Sequence, residues 1–379
     1  MRTQLRSVVT LLVAMSAAAP AAALYSETDL VSDLQGVAAH QDANLVNPWG
    51  MSYGPTTPIW VSDNGKGVST LYTADGSTVP LVVTVPPAGG QQPSSAPTGQ
   101  VYNPTSDFKI NGSPALFMFA SEDGGISGWN GSAGQTGFLT VDNSSRGAVY
   151  KGLAFDTSAN GSFLLAPNFA SGTIDAFDKN FTQTALAGSF LDPNLPAGYS
   201  PFNVASLAGS IYVSYAVKGA GGDDVAGPGN GIVDVFDTSG NLLRRLVSNG
   251  GALNSPWGMA MAPANFGEFS NALLVGNFGD GLIHAYNPTT GQFLGTLESS
   301  PGHAIQIDGL WALLFGGGSG NNGSTNTLFF TAGIPGPDHV EDHGLFGTLT
   351  SVPEPGTGAE LALGTFALAL RARRRRARR

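Results

Sequence analysis

The sequence predicts an all-β chain folded as a six-bladed β-propeller, and three observations carry that prediction. A short motif recurs six times across the body of the 379 residues, each copy is followed by further short apolar runs, and no long stretch with helical periodicity competes. The clearest copies are Asn47-Pro48-Trp49-Gly50-Met51 and Ser255-Pro256-Trp257-Gly258-Met259. Weaker copies begin at Pro97, Tyr150, Pro201 and Ile307, so the aligned positions are 50, 99, 152, 203, 258 and 309. A repeat near fifty residues throughout the body favours one ring of similar units over a β-sandwich or two separate domains.

Each unit then supplies its strands in order. Second runs are Ile59–Val61, Ala115–Phe119, Phe163–Leu165, Ile211–Val213, Leu273–Val275 and Leu328–Phe330. A glycine opens each third run, at Gly67, Gly125, Gly172, Gly231, Gly281 and Gly344. Turn dipeptides such as Asp75-Gly76 and Asn130-Gly131 separate them. Fourth runs occur in five units only, while a spare strand-like run stands at Ser26–Leu34. The expected solution is a ring in which the N-terminal strand completes the last blade and leaves few open edges.

The two ends read differently from the body. Arg2 and Arg6, the apolar Val8–Ala19 and the Ala21-Ala22-Ala23 cleavage pattern predict a signal peptide over 1–23. The propeller is assigned to 24–350 and a tail with a short apolar helix to 351–379. Seven arginines crowd Arg371–Arg379, so without its basic ends the body carries about −17, against −10 for the whole chain. Such a surface repels phosphate backbones and excludes nucleic acid as a partner. There is no cysteine, which excludes thiol catalysis and thiolate metal sites.

Two resemblances follow from these residues. The Asn-Pro-Trp-Gly opening at Asn47, the strand ending in Ser62-Asp63-Asn64 and the Gly67-Val68 beyond resemble NHL-type propellers, including streptogramin-lyase-like and gluconolactonase-like relatives. That resemblance implies fold more than chemistry. Val352-Pro353-Glu354-Pro355, the apolar Leu361–Leu370 and the arginine cluster resemble a PEP-CTERM sorting signal, with Pro353, Glu354 and Pro355 as the motif. This implies a Gram-negative source, exosortase-type sorting machinery as partner, transient membrane association through the tail, and delivery to the periplasm, outer surface or extracellular matrix. At 15 residues, Gly356–Leu370 is short for a spanning helix.

Candidate site residues fall on one expected face, built from inner-strand starts and the loops between second and third strands. Its ligand-face set is Asn47, Asn168, Asn203, Asn254, Asn277 and Asp308, accompanied by His40, Asp63, Asn64, Glu122, Asp123, Asp223, Asp224 and Asp280. Oxygen ligands of this kind suit Ca²⁺, although Asn and Asp also serve ordinary turns. The densest chemistry is the Pro337–Gly344 loop. His339, Glu341 and His343 are its catalytic candidates, and His343, Glu341 and His303 are candidate ligands for Zn²⁺ or a similar ion. Solvated loop histidines are the ordinary alternative. Trp49, Trp257 and Trp311 are expected to pack between blades, with sugar stacking the rival role. The leading functional expectation is an exported, surface-associated binding or scaffold propeller for a polysaccharide, protein or ion, with an exopolysaccharide or envelope protein as partner. The competing one is an exported hydrolase or lyase using the His/Glu loop.

Overall fold

The computed structural model describes residues 24–90, 94–158, 161–336 and 341–352. The expected signal peptide, the expected sorting motif at Pro353, Glu354 and Pro355, and the candidate His339 lie outside the described residues. Leu24–Val352 forms one compact unit. It is an all-β, six-bladed propeller whose only helical pieces, among the described residues, are four 3₁₀ turns.

Each of the first five blades is a four-stranded antiparallel sheet. Their inner strands are Pro48–Ser52, Pro97–Tyr102, Ala154–Ser158, Tyr199–Leu207 and Pro256–Met261. Blade six runs outward from Leu310–Phe315 through Leu328–Ala332 and Leu345–Val352. Leu24–Ser32 then adds to it antiparallel, from Leu24 opposite Val352 to Ser32 opposite Leu345. The first strand therefore closes the ring, starting two residues earlier than the spare run suggests.

Side chains reinforce that closure. Asp33 accepts hydrogen bonds from the Gly344 backbone N–H at 2.8 Å and pairs with His343 Nδ1 at 2.8 Å. The Ser32 hydroxyl donates to Gly344 O at 2.7 Å. Tyr25 is buried against blade five, its ring parallel to Phe269 and its hydroxyl donating to Phe266 O at 3.0 Å.

In one respect the repeat register differs from the expected one. Pro48, Pro97 and Pro256 pair with the last residues of their second strands, Asp63, Ser121 and Asn277. In blade six the residue in that position is Leu310, paired with Ala332. Trp311, three residues beyond Asp308, thus corresponds to Trp49 and Trp257. Asp308 is instead an exposed residue on the approach to the strand.

The inner strands meet at the axis because the residue after this position is small. A Cβ on Gly50 would lie 2.6 Å from Thr98 O, and one on Gly258 would lie 2.5 Å from Trp311 O. Gly99 faces the Leu153 and Gly152 backbone, and Gly152 faces Asn203. Asn203 bridges where glycine is missing, donating to Trp257 O at 2.8 Å. The chain is thereby pinched around its centre, leaving a recess on each side.

Asp33→Ala removes two bonds of the closing staple and is expected to destabilise the protein by about 2–3 kcal/mol. Contact with Asp33 raises the pKa of His343 above its usual value. The ion-pair part of the stability is therefore complete below the unfolded histidine pKa and is lost as pH rises through the folded one. Chemical denaturation should show a larger loss at pH 5.5 than at pH 8.5. Equal losses at both would remove the histidine from the staple.

Candidate functional site

On the face that carries the inner-strand starts, all six blades contribute to one cavity of about 420 Å³. Its lining is Asn47 and Trp49 from blade one, Glu122 from blade two, Lys151 from blade three, and Asp223 and Asp224 from blade four. Phe278 comes from blade five, and Trp311 and Glu341 from blade six. The segment Asn47-Pro48-Trp49 reaches it by a left-handed turn at Asn47, with φ 44°.

Aromatic rings form one wall. Trp49 and Trp311 stack with centroids 3.5 Å apart, Phe278 stacks on Trp311 at 4.1 Å, and Trp257 meets both indoles edge-on near 6 Å. These rings are spent largely on one another, as packing between blades would have them. Asn47 Oδ1 accepts from both Trp49 Nε1 at 3.1 Å and Trp311 Nε1 at 2.9 Å, which fixes the pair.

Among the described residues, Lys151 supplies the one cation that lines the cavity. The residue is only 4% exposed, and its Nζ lies 2.5 Å from Glu122 and 3.4 Å from Asp223. The ammonium also sits 5.3 Å from the centre of Trp49 and 5.9 Å from Phe169, within cation–π range. Burial alone would lower its pKa, but Glu122 and the two aspartates outweigh that and raise it. Lys151 is therefore a fixed charge and not a nucleophile. Asn64 donates to the second Glu122 oxygen at 2.9 Å, completing that arm.

Among the described residues, no cation pairs with Asp224 or Glu341 within salt-bridge distance. Burial pushes Glu341 up to about 7, helped by Asp224 and Glu122 and opposed by a hydrogen bond with Asn47 and by Lys151. Burial likewise raises Asp224, against the pull of Ser255 and Lys151. Four carboxylates thus share one lysine, and one of the four changes charge near neutrality.

Of the residues expected on this face, the structure brings Asn47, Glu122, Asp223, Asp224 and Glu341 into the cavity. Asn168, Asn254 and Asn277 hold loops. Asn168 Oδ1 accepts from Val149 N at 3.2 Å, Asn254 Oδ1 from Gly227 N at 2.6 Å, and Asn277 Nδ2 donates to Ala252 O at 3.0 Å. Asn203 lines the recess on the opposite face. Asp63 is fully buried, accepting from Thr70 N at 3.0 Å. His343 belongs to the closing staple, whereas His303 is exposed on a hairpin beside Pro301 O. His40 pairs with the closing strand at the outer edge of blade six. Among the described residues, no three of His, Asp and Glu are grouped to hold a metal ion. Lys151 and Phe278 were not among the sequence candidates.

No family model matches the chain. Uncharacterized protein R648 of Acanthamoeba polyphaga mimivirus is 31% identical over 319 residues, spanning 80% of this chain and 76% of the viral protein. Uncharacterized protein L690 of the same virus is 31% identical over 306 residues, spanning 77% and 79%. Among solved structures, a glucose dehydrogenase aligns with TM-score 0.50 and 12% identity over 86% of this chain and 99% of its own. A streptogramin B lyase aligns with TM-score 0.47 and 11% identity over 87% and 98%. At such identities the likeness to the solved structures is one of fold.

The raised Glu341 pKa has a sign. Its neutral form suits the fold, so its stabilising contribution is complete below the unfolded value and lost as pH rises through about 7. Glu341→Gln is therefore expected to melt at the wild-type temperature at pH 5 and above it at pH 8. A variant that melts lower at pH 8 would show that the ionised carboxylate is favourably paired.

Proposed function

The chain belongs to the family of the mimivirus proteins R648 and L690, and on that premise we propose that it is an exported binding propeller whose ligand occupies the six-blade cavity. One observation carries the reading: every blade places a side chain around the same recess, and the Lys151–Glu122 pair is already fixed there. A pocket whose polar groups are anchored before binding loses little freedom when a ligand enters. Its carboxylate excess favours cationic or hydroxyl-rich ligands over anions.

The ends of the sequence support the export part of the proposal. A basic-apolar-small leader precedes the propeller, and the Pro353-Glu354-Pro355 motif, apolar run and arginine cluster follow it. On this reading an exosortase-type enzyme processes the tail, and the propeller stays at the surface by holding an exopolysaccharide or envelope component. One observation favours a second reading, a hydrolase or lyase: Glu341 is held near 7, where a carboxyl group can serve as general acid or base. His343 has no part in that version, because Asp33 holds it.

Expression in a host with the sorting machinery separates the parts. The full chain is expected in the surface fraction, and a chain ending at Ser351 is expected to remain in the periplasm. A Glu122→Gln/Asp224→Asn double variant should be delivered normally but wash from the matrix at least several-fold more readily. Identical delivery with and without the tail would reject sorting. Identical retention of the double variant would reject the cavity as the binding site.

A further inference from the structure

The cavity also carries a statement about its ligand, which rests on the binding reading above. Lys151 has three N–H donors on a side chain that is nearly fully buried and lines the cavity. Glu122 and Asp223 take two of them, the second at 3.4 Å from a side chain that is 85% exposed. Among the described residues, the third has no oxygen partner. A ligand oxygen entering the cavity can therefore accept a charge-assisted hydrogen bond from an ammonium whose position is already fixed. The opposite need stands beside it. Asp224 and Glu341 lie in the same cavity, burial raises the proton affinity of both, Asp224 adds to that of Glu341, and among the described residues Lys151 is the one cation near them.

We propose that the cavity binds an amino sugar or amino alcohol, a ligand that carries a primary ammonium next to a hydroxyl. The ammonium goes to Asp224 and Glu341, and the hydroxyl oxygen accepts from Lys151. Lys151 itself shows how these walls solvate an alkylammonium, with a carboxylate on one side and indole and phenyl rings on the other. An organic cation fits better than a bare metal ion, because the described acidic groups surround the cavity without three converging on one point. Its volume, about 420 Å³, lies within the ~300–1,000 Å³ usual for small-ligand sites. A neutral sugar would leave the excess carboxylates uncompensated. An acetylated amine would lose the charge and add bulk.

The groups facing the ligand ammonium are Asp224 from blade four and Glu341 from blade six, with Glu122, Asp223 and Lys151 around them. Since Glu341 ionises near 7, affinity for ethanolamine, whose amine stays protonated across the range, should rise between pH 6 and pH 8 and flatten in Glu341→Gln.

Calorimetric titration of the purified protein at pH 7 tests the proposal. The probes are glucosamine, N-acetylglucosamine, glucose, ethanolamine, ethylamine and a short glucosamine oligomer. Glucosamine and ethanolamine are expected to bind, with glucose and N-acetylglucosamine at least ten-fold weaker. Asp224→Asn should weaken glucosamine at least ten-fold while melting as wild type does. Lys151→Met should erase the preference for ethanolamine over ethylamine, which a purely structural lysine would leave in place. An oligomer that binds more tightly than the monomer assigns a polymer as the source, and equal affinity assigns the free amino sugar. Equal affinity for N-acetylglucosamine, no binding by any ammonium probe, or a Lys151→Met protein that keeps its preference would each overturn the proposal. If cavity-dependent surface retention survived such a result, the binding reading would stand and only the ligand class would fall.

Discussion

The structure depends on how closely six inner strands approach one another at the axis. Four glycines, Gly50, Gly99, Gly152 and Gly258, occupy equivalent positions where a side chain would run into the backbone or side chain of the next blade. Backbone cannot move aside as a flexible side chain can, so these contacts set the radius of the ring. Ala312 fills the sixth-blade position. Asn203 fills the fourth and uses its amide to bond its neighbour's carbonyl. The cavity face follows from this pinch. The residue before each small one is brought close to the axis, and in four of the blades that residue is Trp49, Lys151, Trp257 or Trp311.

Crowding three indoles and a lysine at the centre creates an electrostatic problem that the loops solve. A buried ammonium requires carboxylate, and Glu122 supplies it at 2.5 Å while the Trp257 indole nitrogen donates to Lys151 O at 2.8 Å. Pairs of this kind stabilise little by themselves, because desolvation offsets much of the attraction. Their value here is positional, since the lysine and its partner hold one wall of the cavity rigid. The surplus acids then remain, and burial, with Asp224 and Glu122 adding to it, holds the Glu341 proton up to about 7.

Much of the architecture was legible in the sequence because the determinants are local and repeated. The glycine opening each third strand, the Pro-Trp-Gly starts and the missing sixth fourth-strand together indicated ring closure by the N-terminal segment. The register of blade six was not legible. Ile307-Asp308-Gly309 imitates the motif, yet Gly309 faces Gly333 with φ 67° and serves the turn before the strand. Glu341 could be read from its dense loop, whereas His303 could not be separated from it, because sequence gives no distance between a hairpin tip and the axis. Lys151 left a trace that was available. It is one of few basic residues in an acidic body and stands where three other repeats place tryptophan, so a charge at a largely aromatic repeat position was a signal for a candidate site. Phe278 left no such trace, since nothing in its loop distinguishes it from other buried phenylalanines.

The dependence on inner-strand contact is most directly tested by thermal unfolding of Gly99→Ala followed by near-ultraviolet circular dichroism. The added methyl group would meet Leu153 N and Gly152 of the next blade, and the stacked Trp49–Trp311 pair, 3.5 Å apart, reports the geometry above the pinch. The expected result is a clearly lower melting temperature together with a weakened tryptophan signal in the folded state. A variant that keeps the wild-type spectrum and melting temperature would contradict the account.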